Sequence, residues 1–343
     1  MNVAKTSNLD WNNLGFTYHR LPYRYIAQYR NGKWGPGKLT QNCNLSLNEC
    51  ATCLHYGQDT FEGMKAYRTK NNHINLFRPD RNAHRFHNSC KRLYMPPFPE
   101  DRFVSAVKKM VKTNDEFVPP YGNGATMYIR PLMLGVGPTI GVQPSSAYTF
   151  IVFGLPVGSY LSGGQLNAVK LDTLNYDRAA HFGTGRAKVS GNYGGSILPN
   201  QIATKQGYAD VLYLDPLHHH YVEESGGANF FAITKDNVFV TPKSISILPS
   251  ITKYSLLYLV QHRLGMKAVQ GHIDIRHLDQ YKEAGLCGTA AVIVPVGGIN
   301  YKGHMHLFNH GKTGKLTLKL YHLLSGIQFG DVKAPKGWIQ RVE

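Results

Sequence analysis

The chain has 343 residues, of which 42% are hydrophobic and 17% charged. This is the composition of a folded globular protein, it argues against intrinsic disorder, and the length predicts roughly two domains. The formal net charge of +17 makes nucleic acid a candidate partner. However, the lysines and arginines are scattered and form no dense basic run, so a basic surface could equally attract anionic small substrates.

The N-terminal residues contain no apolar core, which argues against a signal peptide. No apolar run approaches the ~20 residues that span a bilayer. Five cysteines are few for a chain of this length and indicate a reducing compartment. We therefore expect a cytoplasmic protein.

The first half of the chain mixes strand and helix patterns. The turn residues that interrupt residues 20–60 predict short strands and hairpins. A helix is predicted over 80–94, with Asp80 as its N-cap and Tyr94 on its apolar face, and a second helix follows Pro99. The inward residues of the second helix are Phe103, Val107, Met110 and Val111. Two strands follow, at 126–134 and 147–155.

A Gly/Ser-rich stretch at 156–166 is the candidate linker to the second half. The clearest helix beyond it runs from Lys253 to Leu264 and ends at Gly265. The strands predicted in this half are 167–172, 208–214, 219–223, 229–233 and 237–241. The mixture of strands and helices predicts an α+β fold in two parts.

Lys188 lies in a glycine-rich segment, residues 183–196, shortly before Tyr193. Glycines let a backbone approach a ligand closely, and a partly unprotonated lysine in such a place can form a Schiff base. A flexible glycine loop with an exposed lysine has the same pattern. The segment alone leaves both interpretations open.

Two downstream features would suit an aldehyde cofactor that carries a phosphate. Glu223 and Glu224 lie beside small residues, where a carboxylate can keep a ring nitrogen protonated; a solvated turn is the alternative. Residues 248–252 precede the predicted helix, where unpaired N–H groups suit a phosphate. Ordinary capping by Ser250 or Thr252 is the alternative there.

A third feature is the run of small residues from Cys287 to Ala291, expected between a helix and an apolar strand. Here backbone N–H groups and the Thr289 hydroxyl could face a ligand. A tight turn with a core cysteine is the alternative.

Two further patterns predict no metal site. Cys50 and Cys53 have the spacing of a redox or zinc pair, but one pair cannot fill a tetrahedral site. The three histidines of 218–220 would alternate faces in a strand, so a surface hairpin is the better interpretation. No nucleotide-binding glycine motif follows a strand.

Motifs along the chain carry a resemblance to a known family. The downstream motifs resemble the signature of the class IV, pyridoxal-phosphate-dependent aminotransferases, and they are Glu224-x-Gly-x-x-Asn229-Phe-Phe, Phe239-Val-Thr241 and Leu248-Pro-Ser-Ile-Thr-Lys253. The upstream motifs resemble the branched-chain amino acid aminotransferases specifically, and they are Leu54-His-Tyr-Gly, Phe61-Glu-Gly, Met127-Tyr-Ile-Arg-Pro131, Arg178-Ala-Ala and Lys188-Val-Ser-Gly-Asn-Tyr193.

This resemblance implies a fold type IV enzyme of the α+β class. It would have a smaller N-terminal α/β domain (1–156), an interdomain loop (157–166) and a larger C-terminal domain (167–343) with a β-barrel-like core. Its cofactor would be pyridoxal 5'-phosphate, bound between the domains, and the family forms homodimers.

The resemblance also assigns roles in cofactor binding. Lys188 would form the Schiff base and transfer the proton, Glu224 would pair with the pyridine nitrogen, and Tyr193 would reach the phenolic oxygen. The residues that would bind the phosphate, by side chain or backbone, are Arg85, Ile251, Thr252 and Thr289.

Substrate contacts are implied in the same way. The residues that would line the side-chain pocket are Tyr56, Phe61 and Tyr128. Arg130 would bind the distal carboxylate of glutamate, and the Thr289-Ala290 turn would bind the α-carboxylate.

A few positions depart from the family pattern. Ser190 stands where the family has glycine, and Arg186 where it has alanine. Ser250 and Lys253 replace glycine and arginine at the helix start. The changes at Ser190 and Arg186 remove no chemical group.

The implied reaction transfers the amino group of leucine, isoleucine or valine to 2-oxoglutarate by a ping-pong mechanism. A D-amino acid aminotransferase or aminodeoxychorismate lyase of the same fold is one alternative, although Tyr128-Ile-Arg-Pro and Phe61-Glu-Gly count against both. A basic, non-enzymatic nucleic-acid-binding protein that keeps the fold is the other, and the scattered charges argue against it.

Overall fold

A computed structural model describes residues 3–159 and 165–343. The chain divides into two compact units: unit 1 comprises Met1–Ser159, Ala187–Ser190 and Gly326–Glu343, and unit 2 comprises Tyr160–Arg186 and Gly191–Ser325. Five residues of the expected interdomain loop, 160–164, lie outside the described residues. The domain limits inferred from the sequence stay a prediction.

Unit 1 combines strands that pair antiparallel with α-helices. Its strands are β1 (Arg24–Arg30), β2 (Lys33–Trp34), β3 (Lys38–Thr40), β4 (Asp59–Phe61), β5 (Met64–Arg68), β6 (Ile74–Phe77), β7 (Thr126–Gly135) and β8 (Tyr148–Val157). Its helices are α1 (Thr52–Tyr56), α2 (Pro79–Arg92) and α3 (Glu100–Thr113). The last strand of the chain, β18 (Ile339–Val342), also belongs to this unit.

The remaining elements follow in chain order. The strands are β9 (Val169–Asp172), β10 (Asp210–Leu214), β11 (Val222–Ser225), β12 (Asn229–Thr234), β13 (Phe239–Pro242), β14 (Ala268–Gly271), β15 (Tyr281–Gly288), β16 (Val292–Tyr301) and β17 (His304–Leu307). The helices are α4 (Ser190–Gly194), α5 (Ile197–Lys205), α6 (Ile251–Leu264) and α7 (Lys315–Phe329). Short 3-10 helices lie at Thr6–Asn8, Asp115–Phe117, Ile275–Gln280 and Asn309–Gly311.

The unit 1 sheet has the order β18-β6-β5-β7-β8-β1-β2, with β3 added on β1 and β4 on β7. The long antiparallel pair β7–β8 runs from Thr126 opposite Val157 to Gly135 opposite Tyr148. Helix α3 packs on this sheet with the apolar face that its periodicity predicts, because Phe103, Val107 and the other inward residues are completely buried. The predicted strands and the second helix are therefore confirmed here.

Two details of the first helix were predicted wrongly. Arg78, in a left-handed conformation, is the N-cap of α2, and Pro79 occupies the first helical position. Proline suits that position because its missing N–H would have no helical acceptor, so Asp80 lies inside the first turn. Tyr94 is 79% exposed, because the helix ends at Arg92 before the chain turns.

The sheet of unit 2 closes on itself. Its order is β11-β10-β9-β16-β15-β12-β13-β14, and the pairing of β11 with β12 completes a ring of six strands. The core inside unit 2 includes Leu171, Phe230 and Ile299, all fully buried. This closed sheet, with the antiparallel sheet and helices of unit 1, confirms the α+β class and the barrel-like core.

The helix expected before Cys287 is wrong. Residues 281–288 form β15, which pairs antiparallel with both β12 and β16. This strand is buried on both faces, so its residues lack the polar–apolar alternation that marks a half-buried strand. Gly285 lies against the Phe231 ring, where a Cβ atom would come within 2.5 Å of the ring.

Helix α6 matches its prediction closely. The Ser250 side chain accepts a hydrogen bond from the Lys253 N–H at 3.2 Å, and Gly265 ends the helix in a left-handed conformation with φ 62°. Ser250 is therefore an N-cap, while the amides of Ile251 and Thr252 remain the first two of the helix.

None of the helices in the described residues has the length and apolar character needed to cross a bilayer.

Candidate active site

The main chain of Lys188 is fixed by hydrogen bonds within unit 1. Its N–H donates to Ser89 Oγ on α2 at 2.9 Å. Its carbonyl accepts from the Phe61 N–H at 3.1 Å and from Thr60 Oγ1 at 2.9 Å, so the segment is hydrogen-bonded to β4. The Ser89 hydroxyl in turn donates to the Arg85 carbonyl at 2.9 Å. One helix and one strand thus hold the residue that could carry the Schiff base.

Three of the predicted substrate residues lie together in unit 1, and they are Phe61, Tyr128 and Arg130. The Phe61 ring lies 4.7 Å from the Arg130 guanidinium carbon and 4.7 Å from Lys188 Nζ. Arg130 Nη2 also donates to the Tyr128 hydroxyl at 3.2 Å. Arg130 is half-buried while both rings are buried. The cluster therefore combines two aromatic faces with one cation beside the lysine amine.

Close packing of this cluster depends on a glycine. A Cβ atom at Gly63 would overlap the Tyr128 hydroxyl. The Phe61-Glu-Gly motif therefore supplies a ring, a carboxylate and the space that Tyr128 occupies.

Arg85 is bound by Glu62, a residue to which the sequence assigned no role. Arg85 Nε and Nη2 donate to the two carboxylate oxygens of Glu62 at 2.6 and 2.8 Å, and Asn82 donates to the same carboxylate at 2.8 Å. Glu62 is completely buried and Arg85 is 8% exposed. The ion pair fixes two of the three guanidinium nitrogens.

Tyr56 lies apart from the Phe61 cluster. It ends the short helix α1, is 40% exposed, and donates its hydroxyl hydrogen to the Ile140 carbonyl. Among the described contacts, none joins its ring to Phe61 or Tyr128.

Glu224 is a buried carboxylate of unit 2 that is held by an ion pair and two hydrogen bonds. It is 3% exposed, and Arg178 Nη2 lies 2.6 Å from its Oε1. The Leu248 N–H donates to Oε1 at 2.9 Å, and Asn229 Nδ2 donates to Oε2. The pKa of Glu224 is raised above its ordinary value, because the effect of burial outweighs the Arg178 charge and the Leu248 N–H, which lower it.

Arg178 itself is fixed by main-chain acceptors. Its Nη2 also donates to the carbonyls of Gly185 and Ser246, each at 2.8 Å. A Cβ atom at Gly185 would overlap the Ser246 carbonyl, so only glycine allows this approach. The sequence pointed to Arg178 as part of a motif but assigned it no function.

Glu223 does not share the Glu224 environment. Neighbouring side chains in a strand point to opposite faces, and Glu223 Oε1 accepts from the hydroxyls of Ser244, at 2.6 Å, and Ser246. The two carboxylates therefore form no functional pair.

The start of α6 interacts electrostatically with Glu224. Ile251 and Thr252 are buried first residues of the helix. Burial lowers the pKa of Lys253, while Cys287 and Glu224 oppose the shift. A helix start keeps N–H groups without helical acceptors, so Ile251 and Thr252 can donate to an anion.

Thr289 and Ala290 form the turn between β15 and β16. Both are half-buried, and Val292 follows with φ 64°, which is rare for a β-branched residue. Burial raises the pKa of the preceding Cys287 thiol to about 12, so this cysteine stays protonated. The turn, rather than the cysteine, is the part that can contact a ligand.

Tyr193 lies in the short helix α4 beside Asn192. The Asn192 side chain ties this helix to the start of the glycine-rich segment, accepting from Thr184 Oγ1 at 2.7 Å and donating to the Thr184 carbonyl at 2.9 Å. This connection orders the second half of the 183–196 segment.

The remaining sequence features lie outside this chemistry. Cys50 and Cys53 are free thiols, and the described residues contain no group of three metal-ligating side chains. His218–His220 lie in the hairpin between β10 and β11, as predicted, where Asp215 accepts from the His218 and His220 N–H groups.

Comparison with known proteins settles the family. The sequence profile of the family described as "Amino-transferase class IV" matches residues 59–299, more than half of the 343 residues. The chain belongs to the class IV aminotransferases. This class uses pyridoxal 5'-phosphate, and fold type IV is its architecture.

Relatives narrow the comparison within this family. The chain is 54% identical to a branched-chain-amino-acid aminotransferase of Haemophilus influenzae, over 98% of this chain and 99% of the relative. It is 47% identical to a branched-chain-amino-acid aminotransferase of Helicobacter pylori, over 99% and 100% of the two chains. These similarities place it among the branched-chain members of the class IV aminotransferases.

Solved structures of branched-chain amino acid aminotransferases have a similar fold. The structure of branched-chain amino acid aminotransferase from Escherichia coli is similar with a TM-score of 0.79 and 26% identity, covering 93% of this chain and 99% of that one. The holo-form of the branched-chain amino acid aminotransferase from Thermobaculum terrenum shares the fold, with a TM-score of 0.77 and 24% identity, covering 93% and 98%.

The donor set of this aminotransferase fits the cofactor. Glu224 offers a buried carboxylate with a fixed charge partner, which suits a protonated ring nitrogen. The amides at the start of α6 suit a phosphate. Lys188 has a primary amine on a main chain that is hydrogen-bonded through both its N–H and its carbonyl, which suits an aldehyde.

Proposed function

We propose that this protein transfers the amino group of the branched-chain L-amino acids leucine, isoleucine and valine to 2-oxoglutarate, giving branched-chain 2-oxo acids and L-glutamate. The observation that carries the proposal is the cluster of Phe61, Tyr128 and Arg130 beside the Lys188 amine. The near full-length similarity to proteins named branched-chain-amino-acid aminotransferases supports it.

Pyridoxal 5'-phosphate, when bound, supplies an aldehyde and an electron-accepting ring. In the proposal Lys188 holds the aldehyde carbon until substrate arrives, Glu224 holds a proton on the pyridine nitrogen, and Tyr193 binds the phenolic oxygen. Arg178 supports Glu224, since a neighbouring cation favours the ionised carboxylate against the burial that disfavours it. The groups proposed for the phosphate are Arg85, the amides of Ile251 and Thr252, and Thr289.

Lys188 is also the proposed general acid and base. Once displaced by the substrate amine, its Nζ would move a proton from and to the substrate Cα. A main chain held by Ser89, Thr60 and Phe61 keeps the amine within reach while its side chain rotates. A lysine that transfers a proton needs such a fixed main chain and a mobile side chain.

The aromatic cluster explains how one pocket could accept two kinds of side chain. Phe61 and Tyr128, with Tyr56 as the third proposed lining residue, offer apolar surface to leucine, isoleucine and valine. Arg130 would bind the distal carboxylate of glutamate and 2-oxoglutarate, because a guanidinium pairs well with a carboxylate. The Thr289-Ala290 turn would bind the α-carboxylate.

We further propose that the protein is a cytoplasmic homodimer with domains at 1–156 and 167–343 joined by the 157–166 loop. The family resemblance supports these points. Light scattering of the purified protein tests the dimer: a monomer mass would contradict it.

Spectroscopy of the half-reaction tests the proposed function. Purified protein should take up pyridoxal 5'-phosphate and become yellow, and L-leucine should bleach the visible band faster than D-alanine. A protein that takes up no cofactor would refute the enzyme, and faster bleaching by D-alanine would favour the D-amino acid alternative. Retarded migration of nucleic acid by a colourless protein would favour the binding-protein alternative.

A further inference from the structure

Ser190, two residues after Lys188, is tied to the strand that holds the lysine. The Ser190 hydroxyl donates to Asp59 Oδ1, and its N–H lies 3.3 Å from the same oxygen and donates to it. Asp59 is the first residue of β4, whose next two residues bind the Lys188 carbonyl. Three successive residues of β4 thus hold the segment from Lys188 to Ser190.

Asp59 is a buried carboxylate. It is 7% exposed, and the described residues place no cation in salt-bridge contact with it. Burial raises the pKa of Asp59, and the two hydrogen bonds from Ser190 lower it. Cys53 on α1 is the titratable neighbour, and the pKa of its thiol is raised by burial and by the Asp59 charge.

A buried carboxylate that accepts no hydrogen bond destabilises the folded state, so Asp59 needs donors nearby. Ser190 meets this need with both a hydroxyl and an amide. An alanine at this position would keep the amide and lose the hydroxyl. The carboxylate would then be less well solvated, and the main chain after Lys188 would lose one of its anchors.

The strand that receives these contacts is itself rigidly placed. β4 pairs antiparallel with β7, with Asp59 opposite Leu134 and Phe61 opposite Leu132. Because the sheet fixes Asp59, the hydrogen bonds to Asp59 fix Ser190 relative to the sheet. On the other side of the lysine, Ser89 of α2 anchors the Lys188 amide.

We propose that Ser190 is a positioning residue for Lys188: its hydrogen bonds to Asp59 fix the main chain beyond the lysine and thereby set the direction from which the Lys188 amine meets the cofactor aldehyde. This inference rests on the proposed function of Lys188. Of the two donors, the hydroxyl is the one that a substitution of Ser190 removes, while the amide stays.

The test compares wild type with Ser190→Ala, Ser190→Thr and Asp59→Ala, all loaded with pyridoxal 5'-phosphate. Ser190→Ala should bind the cofactor about three- to tenfold more weakly, the size of one hydrogen bond, and the pH midpoint of its visible absorbance should shift by about half a unit. Ser190→Thr keeps the hydroxyl and should restore both quantities. Should Ser190→Ala fail to fold, Ser190→Gly removes the same hydroxyl and takes its place.

A double-mutant cycle gives the sharper criterion. If Ser190 acts through Asp59, the effects of Ser190→Ala and Asp59→Ala on the absorbance midpoint should not add, because both substitutions remove the same hydrogen bond. Additive effects, or a Ser190→Ala protein that titrates and binds as wild type does, would overturn the proposal.

Hydrogen exchange of the apoprotein separates this inference from the proposed function. The Ser190 amide should be protected in wild type and exchange faster in Asp59→Ala. Equal exchange would refute the anchor even in a protein with full activity. Failure of the wild type to take up pyridoxal 5'-phosphate would refute the proposed function, and the exchange data would still decide whether Asp59 orders this segment.

Discussion

The segment that carries Lys188 and the strand that carries Glu224 are held by different kinds of interaction. The lysine segment is fixed through main-chain groups, hydroxyls and the carboxylate of Asp59, without an ion pair among the described contacts of these anchors. Glu224 is fixed through its side chain by the Arg178 guanidinium, deep inside unit 2. The first arrangement holds a backbone, and the second holds a charge.

This difference follows from what each group is proposed to do. A lysine that must release one partner and then carry a proton needs a mobile side chain on a fixed backbone. A carboxylate that keeps a ring nitrogen protonated needs its charge, and the Arg178 cation opposes the rise in pKa that burial causes at Glu224. Substitutions in the two regions should therefore fail in different ways.

The largest effect is expected at Lys188. Lys188→Ala should lower the turnover of leucine with 2-oxoglutarate by at least about a hundredfold, because general acid–base transfer contributes ~10²–10⁴. The visible absorbance of the cofactor-loaded protein should also disappear. Lys205→Ala, on an exposed position of α5, is the control and should keep both. Retained colour and activity in Lys188→Ala would rule out the assigned role.

Removal of Arg178 should instead destabilise the fold around Glu224. Arg178→Ala leaves Glu224 buried without its ion-pair partner, which typically costs about 3–5 kcal/mol. Chemical denaturation should show a matching loss in the free energy of unfolding. Arg276→Ala removes an exposed pair with Asp274 and should change stability little. Similar losses in the two variants would contradict the difference between the regions.

Arg130 should affect one substrate class more than the other. Arg130→Ala should raise the Michaelis constants of glutamate and 2-oxoglutarate about tenfold, equivalent to ~1.4 kcal/mol, and that of leucine less. The comparison of the three constants in one preparation checks this. Equal increases for all substrates would refute the role of Arg130 in binding the distal carboxylate.

The smallest effect concerns the pH dependence of stability at Asp59. Its folded pKa is raised above the ordinary 3.8, so the folded state binds the proton more tightly. Stability from this group is therefore present below pH 3.8 and falls as pH rises through the folded pKa. The slope is at most about 1.4 kcal/mol per pH unit.

Denaturation of wild type and Asp59→Asn across this pH range isolates that contribution. Wild type should lose stability relative to Asp59→Asn as the pH rises, and the difference should level off above the folded pKa. A difference that grows in favour of wild type would mean that an unrecognised cation pairs with Asp59.

Local patterns predicted the elements whose signals lie close in sequence. Helix α6 has its cap residue Ser250 and its terminator Gly265 at the expected positions, and α3 has a periodic apolar face. β15 was misread because a doubly buried strand lacks alternation. No sequence pattern indicated that Ala187–Ser190 and Gly326–Glu343 join unit 1.

The candidate site also combines residues that local motifs indicate with contacts that they do not. Motifs pointed to Lys188 and Glu224 as candidates because their neighbours follow a family pattern. Their supporting contacts are non-local: Asp59 and Ser190 are 131 residues apart in the chain. No local pattern encodes such a pair, and it emerges only when β4 and the lysine segment meet.

The most direct measurement for the central proposal is glutamate formation from 2-oxoglutarate by the pyridoxal-phosphate-loaded protein with a panel of donors. L-leucine, L-isoleucine and L-valine should each give higher kcat/KM than D-alanine, and Lys188→Ala should give none above background. A preference for D-alanine, or glutamate formation that does not depend on Lys188, would contradict a branched-chain aminotransferase built on this lysine.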